Sequence, residues 1–296
     1  MIRLRTFSLL MLMVATVFPC VAIADETKLE PSDKWVLNYA NDSCRLARTF
    51  GDGDDRVVLI LDKFQPNDRM DLSLVGKRIA RHGVLKIPVE TTFGPGLAAG
   101  GFGDAIIGVI GSDRDQILMI GSRDLLNRPF VKKPGVADEG AFRTTPEEEA
   151  AIEELRIRTS TRTLTLHTES LGQPMTAMRK CLSDLVRDWG FDPAEQTLLT
   201  KRAAPLNSPT EWFRAMKSLP RAFVNGQSAV IRFRLMVDSE GKVTKCFIQQ
   251  ATLSPEIAKV TCEMMLKGAR FSPALDAHGK AVASYYTGPM RWLFLR

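Results

Sequence analysis

Between Ala229 and Asp238 the chain reads AVIRFRLMVD, in which Ile231, Phe233, Leu235 and Val237 alternate with Arg232, Arg234 and Met236. A period of two sends successive side chains to opposite sides of a strand, so the stretch predicts a strand with one buried face. DSEGK follows, with Gly241 free to take the positive φ of a tight turn, and VTKCFIQQ predicts the returning strand of a hairpin. Ser254-Pro255-Glu256 marks a helix start: a hydroxyl cap, a proline in the first turn and an acid at the positive end of the dipole. Ala258, Cys262 and Met265 are expected on its core face, and Gly268 ends it.

Earlier in the chain, β-branched and apolar runs bounded by Gly, Asp and Pro predict strands at 44–50, 56–63, 71–76, 116–120 and 163–168. Pro146 followed by Glu147, Glu148 and Glu149 predicts a helix start, and 174–189 a second helix carrying Cys181. KRAAPLNSPT, residues 201–210, is short, polar and proline-bearing, the composition of a connector. The fold class expected is therefore α+β: a β-rich unit with a packed helix over 25–200, a linker at 201–210, and a small antiparallel sheet with a helix over 211–296. No heptads, internal repeats or low-complexity tracts are evident.

The amino terminus alters this picture. Arg3 and Arg5 precede an apolar run from Leu9 to Val21, and Ala22-Ile23-Ala24 stands before two acids, the pattern of a secretory signal peptide over residues 1–24. The alternative is a retained inner-membrane anchor, since residues 7–24 carry no charge. Pro19 before Cys20 is the wrong residue for a lipoprotein site. Export would leave Cys44, Cys181, Cys246 and Cys262, an even set that reads as disulfides in an oxidising compartment. Cys246 on a strand and Cys262 on the following helix can meet across one layer, closing a loop that stabilises by about 3 kcal/mol. Cys44 with Cys181 is the remaining pair, although four cysteines allow three connectivities.

Charge divides unevenly. From Pro209 to Arg296 there are 13 Lys and Arg against 6 Asp and Glu, a net +7, whereas Asp25 to Ser208 has 25 against 28, a net −3. A basic module suits an acidic or membrane-surface partner, or serves solubility alone. No basic-aromatic motif points to nucleic acid. The glycine-rich 94–111 lacks both phosphate-loop spacings and is expected as a loop, and SDRD at 112–115 as a solvated turn. His82, His167 and His278 are scattered with no C-x-x-C pair, which gives no zinc set, and no nucleophile elbow, Ser-x-x-Lys pair or H-E-x-x-H helix occurs. No cofactor, metal or catalytic residue is expected, and a periplasmic hydrolase is the weakest of the readings.

SPTEWFRAMKSLPRAFVNGQSAVIRFRLMVDSEGKVTKC, then a helix, then ARFSPALDAHGKAV and a last strand within YYTGPMRWLFLR, resembles the C-terminal domain of TonB-family energy transducers. The order of elements carries the resemblance, together with R-F-x-P-A-x-D-x-x-G-K-x-V from Arg270 to Val282. The resemblance implies that the domain binds an extended segment of an outer-membrane receptor or transporter alongside its last strand, in the manner of strand addition. Pro289 fits an edge strand, and Tyr286, Arg291 and Trp292 are the expected partner contacts. The chain departs from the family in having no long proline-rich spacer, and in carrying Leu219-Pro220 where Tyr-Pro is usual. Periplasmic strand capture linked to TonB-dependent transport is thus the expectation, and a cell-envelope adaptor or structural protein outside energy transduction is the alternative.

Overall fold

The protein is described by a computed structural model covering residues 25–77, 79, 86–94, 100–112, 114–128, 144–214, 229–251 and 255–292. The leader 1–24, His82, Leu219, Pro220 and the Ser254 cap lie outside them. It is a mixed α+β fold. Strands β1 (Asp25–Leu29), β2 (Val36–Ala40), β3 (Ser43–Phe50), β4 (Val57–Lys63), β5 (Arg69–Gly76), β6 (Lys86–Phe93), β7 (Gly100–Ile110), β8 (Asp115–Asp124), β9 (Glu154–Arg158) and β10 (Arg162–His167) form one ten-stranded sheet. The order is β1-β10-β9-β6-β7-β8-β5-β4-β3-β2, antiparallel except for β1 on β10. Its far ends nearly meet, since Gly51 N donates to Glu30 O at 2.9 Å and Ser32 N to Thr49 O at 3.0 Å. The sheet therefore curls, and its inner face is the main core.

Helix α2 (Gly172–Asp188) fills one end of that curl, where α1 (Pro146–Ala150) also lies. Met175, Met178, Cys181, Leu182, Leu185 and Val186 recur at helical spacing and are all buried, each contributing about 1.5–3 kcal/mol by leaving water. Cys181 is bonded to Cys44 on β3, with Cα atoms 6.1 Å apart. The helix begins two residues before the expected Pro174, which the first turn tolerates because its N–H would have no intrahelical partner there.

Five strand expectations hold in outline, and β1, β2, β6, β7 and β9 were not read from the sequence. The expected loop at 94–111 is corrected: β7 occupies Gly100–Ile110. Its glycines make room for neighbours, because a Cβ on Gly103 would lie 2.8 Å from the Arg123 guanidinium and one on Gly108 3.2 Å from Ile117. A strand pattern is hard to see where side chains are deleted in favour of those opposite.

At the α2 end the core holds charge. Lys63, 1% exposed and facing Cys44 across β3 and β4, donates to Asn67 O. Arg128 binds Asp68 at 2.9 Å and Asp124 at 3.0 Å, and Arg179 binds Glu149 at 2.6 Å. Burial pushes the Lys63 amine down to about 8, with Asp68 and Glu149 opposing. In the unfolded chain a lysine holds its proton to about 10.4. Between these values the unfolded state binds more protons, so the Lys63 contribution to stability rises with pH across the window, by about 3 kcal/mol in all. Urea midpoints of wild type and Lys63→Met at about pH 7.5 and about pH 10 should diverge in favour of wild type at the higher value. A constant difference would mean the amine titrates normally.

The rest of the chain builds on α3 (Pro193–Thr197), β11 (Ala204–Pro205), α4 (Pro209–Trp212), β12 (Ala229–Val237), β13 (Val243–Ala251), α5 (Pro255–Gly268), β14 (Phe271–Ser272), β15 (Ala274–Leu275), β16 (Ala281–Val282) and β17 (Ser284–Trp292). Three of them make an antiparallel sheet in the order β13-β12-β17. The expected connector, 201–210, carries structure of its own. Ala203 and Ala204 are buried, β11 pairs with β14, and Lys201 bridges Leu275. Small apolar residues between polar ones let this segment fill a layer instead of spanning a gap.

Candidate functional site

The three-stranded sheet is where the resemblance places partner binding, and its local sequence explains its shape. β12 and β13 join at Asp238–Lys242, where Asp238 Oδ1 accepts from Glu240 N at 3.0 Å and Lys242 N at 2.9 Å. Gly241 has φ +83°, the left-handed region that glycine enters without steric cost. The same chemistry recurs at Asp276–Lys280: Asp276 Oδ1 accepts from His278 N and Lys280 N at 2.9 Å each, and Gly279 has φ +76°. These N–H groups hold the Asp276 carboxyl below its usual range, the Lys280 amide having the largest effect. D-x-x-G-K is thus one turn used twice, a short repeat present in the sequence and not read there.

On one face Ile231, Phe233, Leu235 and Val237 are buried, as their alternation predicts. They meet α5 through Ile257, Thr261 and Met265. The helix face is turned relative to expectation, because Ala258 and Cys262 are half-buried and sit at its flank. Cys262 nevertheless reaches Cys246 on β13, with Cα atoms 5.5 Å apart. Phe271, from the R-F-x-P-A signature, has its ring 5.9 Å from Trp212 and 5.0 Å from Tyr286.

The opposite face of β12, expected to meet solvent, is instead covered, with Arg234 buried and Arg232 and Met236 half-buried, and this is the main correction. Arg232 pairs with Asp71 on β5, and Arg234 Nη1 lies 2.6 Å from Asp42 Oδ1 in the β2–β3 turn. The Arg234 guanidinium carbon is 4.1 Å from the Trp189 ring centre and 4.4 Å from that of Phe247, and the residue is 4% exposed. Gln249 reaches the carbonyls of Asp42 and Phe64 at 3.0 and 3.1 Å. Burial pushes Arg234 down and Asp42 up, against their mutual attraction, so desolvation is the larger effect on both. Arginine suits this place because its planar cation stacks on aromatic rings while its N–H groups reach a carboxylate. The first unit is thereby docked onto the sheet.

β17 pairs with β12 over nine residues without a register shift. The other edge, β13, carries two shifts against β12, between Arg232 and Phe233 and between Met236 and Val237. Among the described residues no strand pairs with the outer side of β17. Its start is held by α3: Ser284 Oγ donates to Gln196 Oε1 at 2.6 Å, and Gln196 Nε2 to Ala283 O at 3.4 Å. Tyr285 is buried against Trp189, with ring centres 4.9 Å apart, and against Phe191 at 5.8 Å. Burial pushes its phenol up. Pro289 is exposed.

Of the expected partner contacts, Tyr286 lies on the α5 side, with its ring near Phe271 and Phe233. Arg291 and Trp292 close β17 opposite Val230 and Ala229, and their side chains lie outside the described residues. Sequence reading passed over Arg232, Arg234, Trp189 and Tyr285. The available signal was a pair of arginines, not lysines, two apart on one side of a strand. No family model matches this chain, and no curated protein matches it either.

Proposed function

We propose that this chain is an exported periplasmic protein, non-catalytic, that captures an extended segment of a partner such as an outer-membrane transporter by adding it to the sheet beside β17. The carrying observation is the contrast between the two edges. Bulges twist an edge and blunt it against further pairing, and β13 has two while β17 has none. An extended peptide laid on β17 would gain main-chain hydrogen bonds, with alternate side chains reading its sequence. The resemblance of 209–296 to TonB C-terminal domains supports the same edge, and the two disulfides are compatible with an oxidising compartment.

The adaptor reading, with no part in energy transduction, is favoured by one observation. The first unit is fastened to the sheet by Arg232–Asp71 and Arg234–Asp42, and 201–205 is paired to 271–275, so these segments supply no extended spacer. Among the described residues no helix is long and apolar enough to cross a membrane.

Cross-linking distinguishes the edges. A peptide copying the periplasmic N-terminal segment of a partner transporter, with one cysteine, should form a mixed disulfide with Pro289→Cys and not with Lys245→Cys on β13. Capture at Lys245→Cys, or at neither, would sink the proposal. Truncation from Tyr285 onward is an unsuitable test, because Tyr285 belongs to the core of the first unit.

A further inference from the structure

The central strands of the large sheet are apolar on both sides. Leu59, Leu74 and Leu118 point inward and are buried in the main core. Between such positions Val58 and Ile60 on β4, Val75 on β5, Ile106 on β7 and Ile117 and Met119 on β8 point outward, and all six are half-buried. Among the described residues these six belong to neither hydrophobic core. The register aligns them across four strands. One row runs Val58, Val75, Ile117 and Gly108, and the next runs Ile60, Ser73, Met119 and Ile106. Directly opposed residues of paired strands share a face, so the two rows form one aliphatic stripe.

Exposure rises at the margins of the stripe. Its second row continues through Ala47 to Val36 on β2, which is 61% exposed, and Ile110, on the same side of β7, is 45% exposed. Outward positions on other strands are polar: Glu90 and Thr92 on β6 stand opposite Arg158 and Arg156 on β9. Antiparallel strands with one face in water alternate apolar and polar residues, whereas strands apolar on both faces belong to sheets that are covered on both. A contiguous aliphatic face left outside the core marks an interaction surface.

We infer that this face is the contact between two copies of the chain, packed sheet on sheet about a two-fold axis. Four strands about 4.8 Å apart and two rows about 7 Å apart make an apolar centre of about 250 Å², and the flanking positions bring the contact to about 500 Å² per copy. Two copies then bury about 1,000 Å², enough for a specific but weak dimer. The two rows contain no ionisable side chain, so the face brought against itself sets no charge on charge. Apolar faces of antiparallel sheets stack about 10 Å apart in this way. An anionic lipid surface fits less well. Lys77 and Lys86, beside the rows, are held by Asp54 and Asp104, and residues 25–208 carry a net −3, so charge does not draw this unit to such a surface. The stripe lies on a different sheet from β17, and the dimer is independent of strand capture there.

Sedimentation velocity of the disulfide-intact chain between about 1 and about 100 μM tests it, with a dissociation constant of about 10 μM expected. Met119→Lys sets a charge within the stripe and outside both cores, so it should weaken association about tenfold or more while leaving Tm near that of wild type. Ser73→Cys, in the second row, should be joined to its copy by a bismaleimide, since Cys44, Cys181, Cys246 and Cys262 are already bonded. Arg156→Cys, on the polar side of the sheet, should not be joined. A monomer throughout the range, or a dimer that Met119→Lys leaves unchanged, would overturn the proposal. So would a monomer that pellets with phosphatidylglycerol vesicles, an outcome that assigns the face to lipid. If Met119→Lys does not fold, the cysteine variants decide: cross-linking at Ser73→Cys alone supports the dimer, and cross-linking of both variants or of neither sinks it.

Discussion

Loss of the Cys44–Cys181 bond should cost about 5 kcal/mol, against about 3 kcal/mol for Cys246–Cys262, because the first closes a far longer loop in the unfolded chain. The sequence separations are 137 and 16. Both Cys44 and Cys181 are fully buried, so the double Cys44→Ala/Cys181→Ala variant also leaves a small cavity between β3 and α2, which adds to the loss. The consequence reaches beyond α2. Cys44 faces Lys63, and Arg179, two residues before Cys181, holds Glu149 of the buried ionic cluster. Loosening α2 would admit water to charges that are balanced only while the helix is seated. Denaturant unfolding of the two double variants checks the ranking. Equal losses, or a larger loss for Cys246 and Cys262, would mean that the unfolded chain stays compact around 44 and 181.

Gly241→Ala and Gly279→Ala should differ by several-fold in cost although the two turns share the sequence D-x-x-G-K. Both residues have positive φ, for which an L side chain costs about 1–2 kcal/mol. At Gly279 nothing lies within 4 Å of the added Cβ, so the backbone cost is the whole effect. At Gly241 the Cβ would lie 2.1 Å from Phe271 O, a backbone atom that cannot swing aside. Phe271 N also donates to Gly241 O at 3.2 Å, so the hairpin and β14 are fastened at this point. Relief would require moving Phe271 away from Trp212 and Tyr286, for a total of about 4 kcal/mol or more. Thermal unfolding of the two variants decides, and similar shifts in Tm would show that Phe271 yields.

The legible parts were those governed by local rules. Alternation gave β12, the turn residues gave the Asp238–Lys242 hairpin, and Pro255 with Glu256 marked the start of α5. The cysteine pairing followed from placing Cys246 on a strand and Cys262 on the next helix. Half of the large sheet was not legible. β7 hides behind glycines whose missing side chains leave room for Arg123 and Ile117, and β2 is an exposed edge with no buried face to set a period. In the candidate site, Pro289 marked an edge correctly, whereas the burial of Tyr285 depends on Trp189 and Phe191, about a hundred residues earlier.

By itself the sequence determined the elements of the C-terminal sheet, the turn chemistry at both D-x-x-G-K sites and the α+β class, because these rest on side-chain periodicity and on φ preferences within a few residues. Only the tertiary structure decided that the arginine face of β12 is an interface and not a solvated surface. Arg232 and Arg234 find Asp71 and Asp42 more than 160 residues away in the chain, a separation over which no local pattern carries information. It also decided which of the two D-x-x-G-K turns is intolerant of a methyl group. Close approach of Phe271 to Gly241 is a property of packing between segments, and packing is set by how the whole chain fills space.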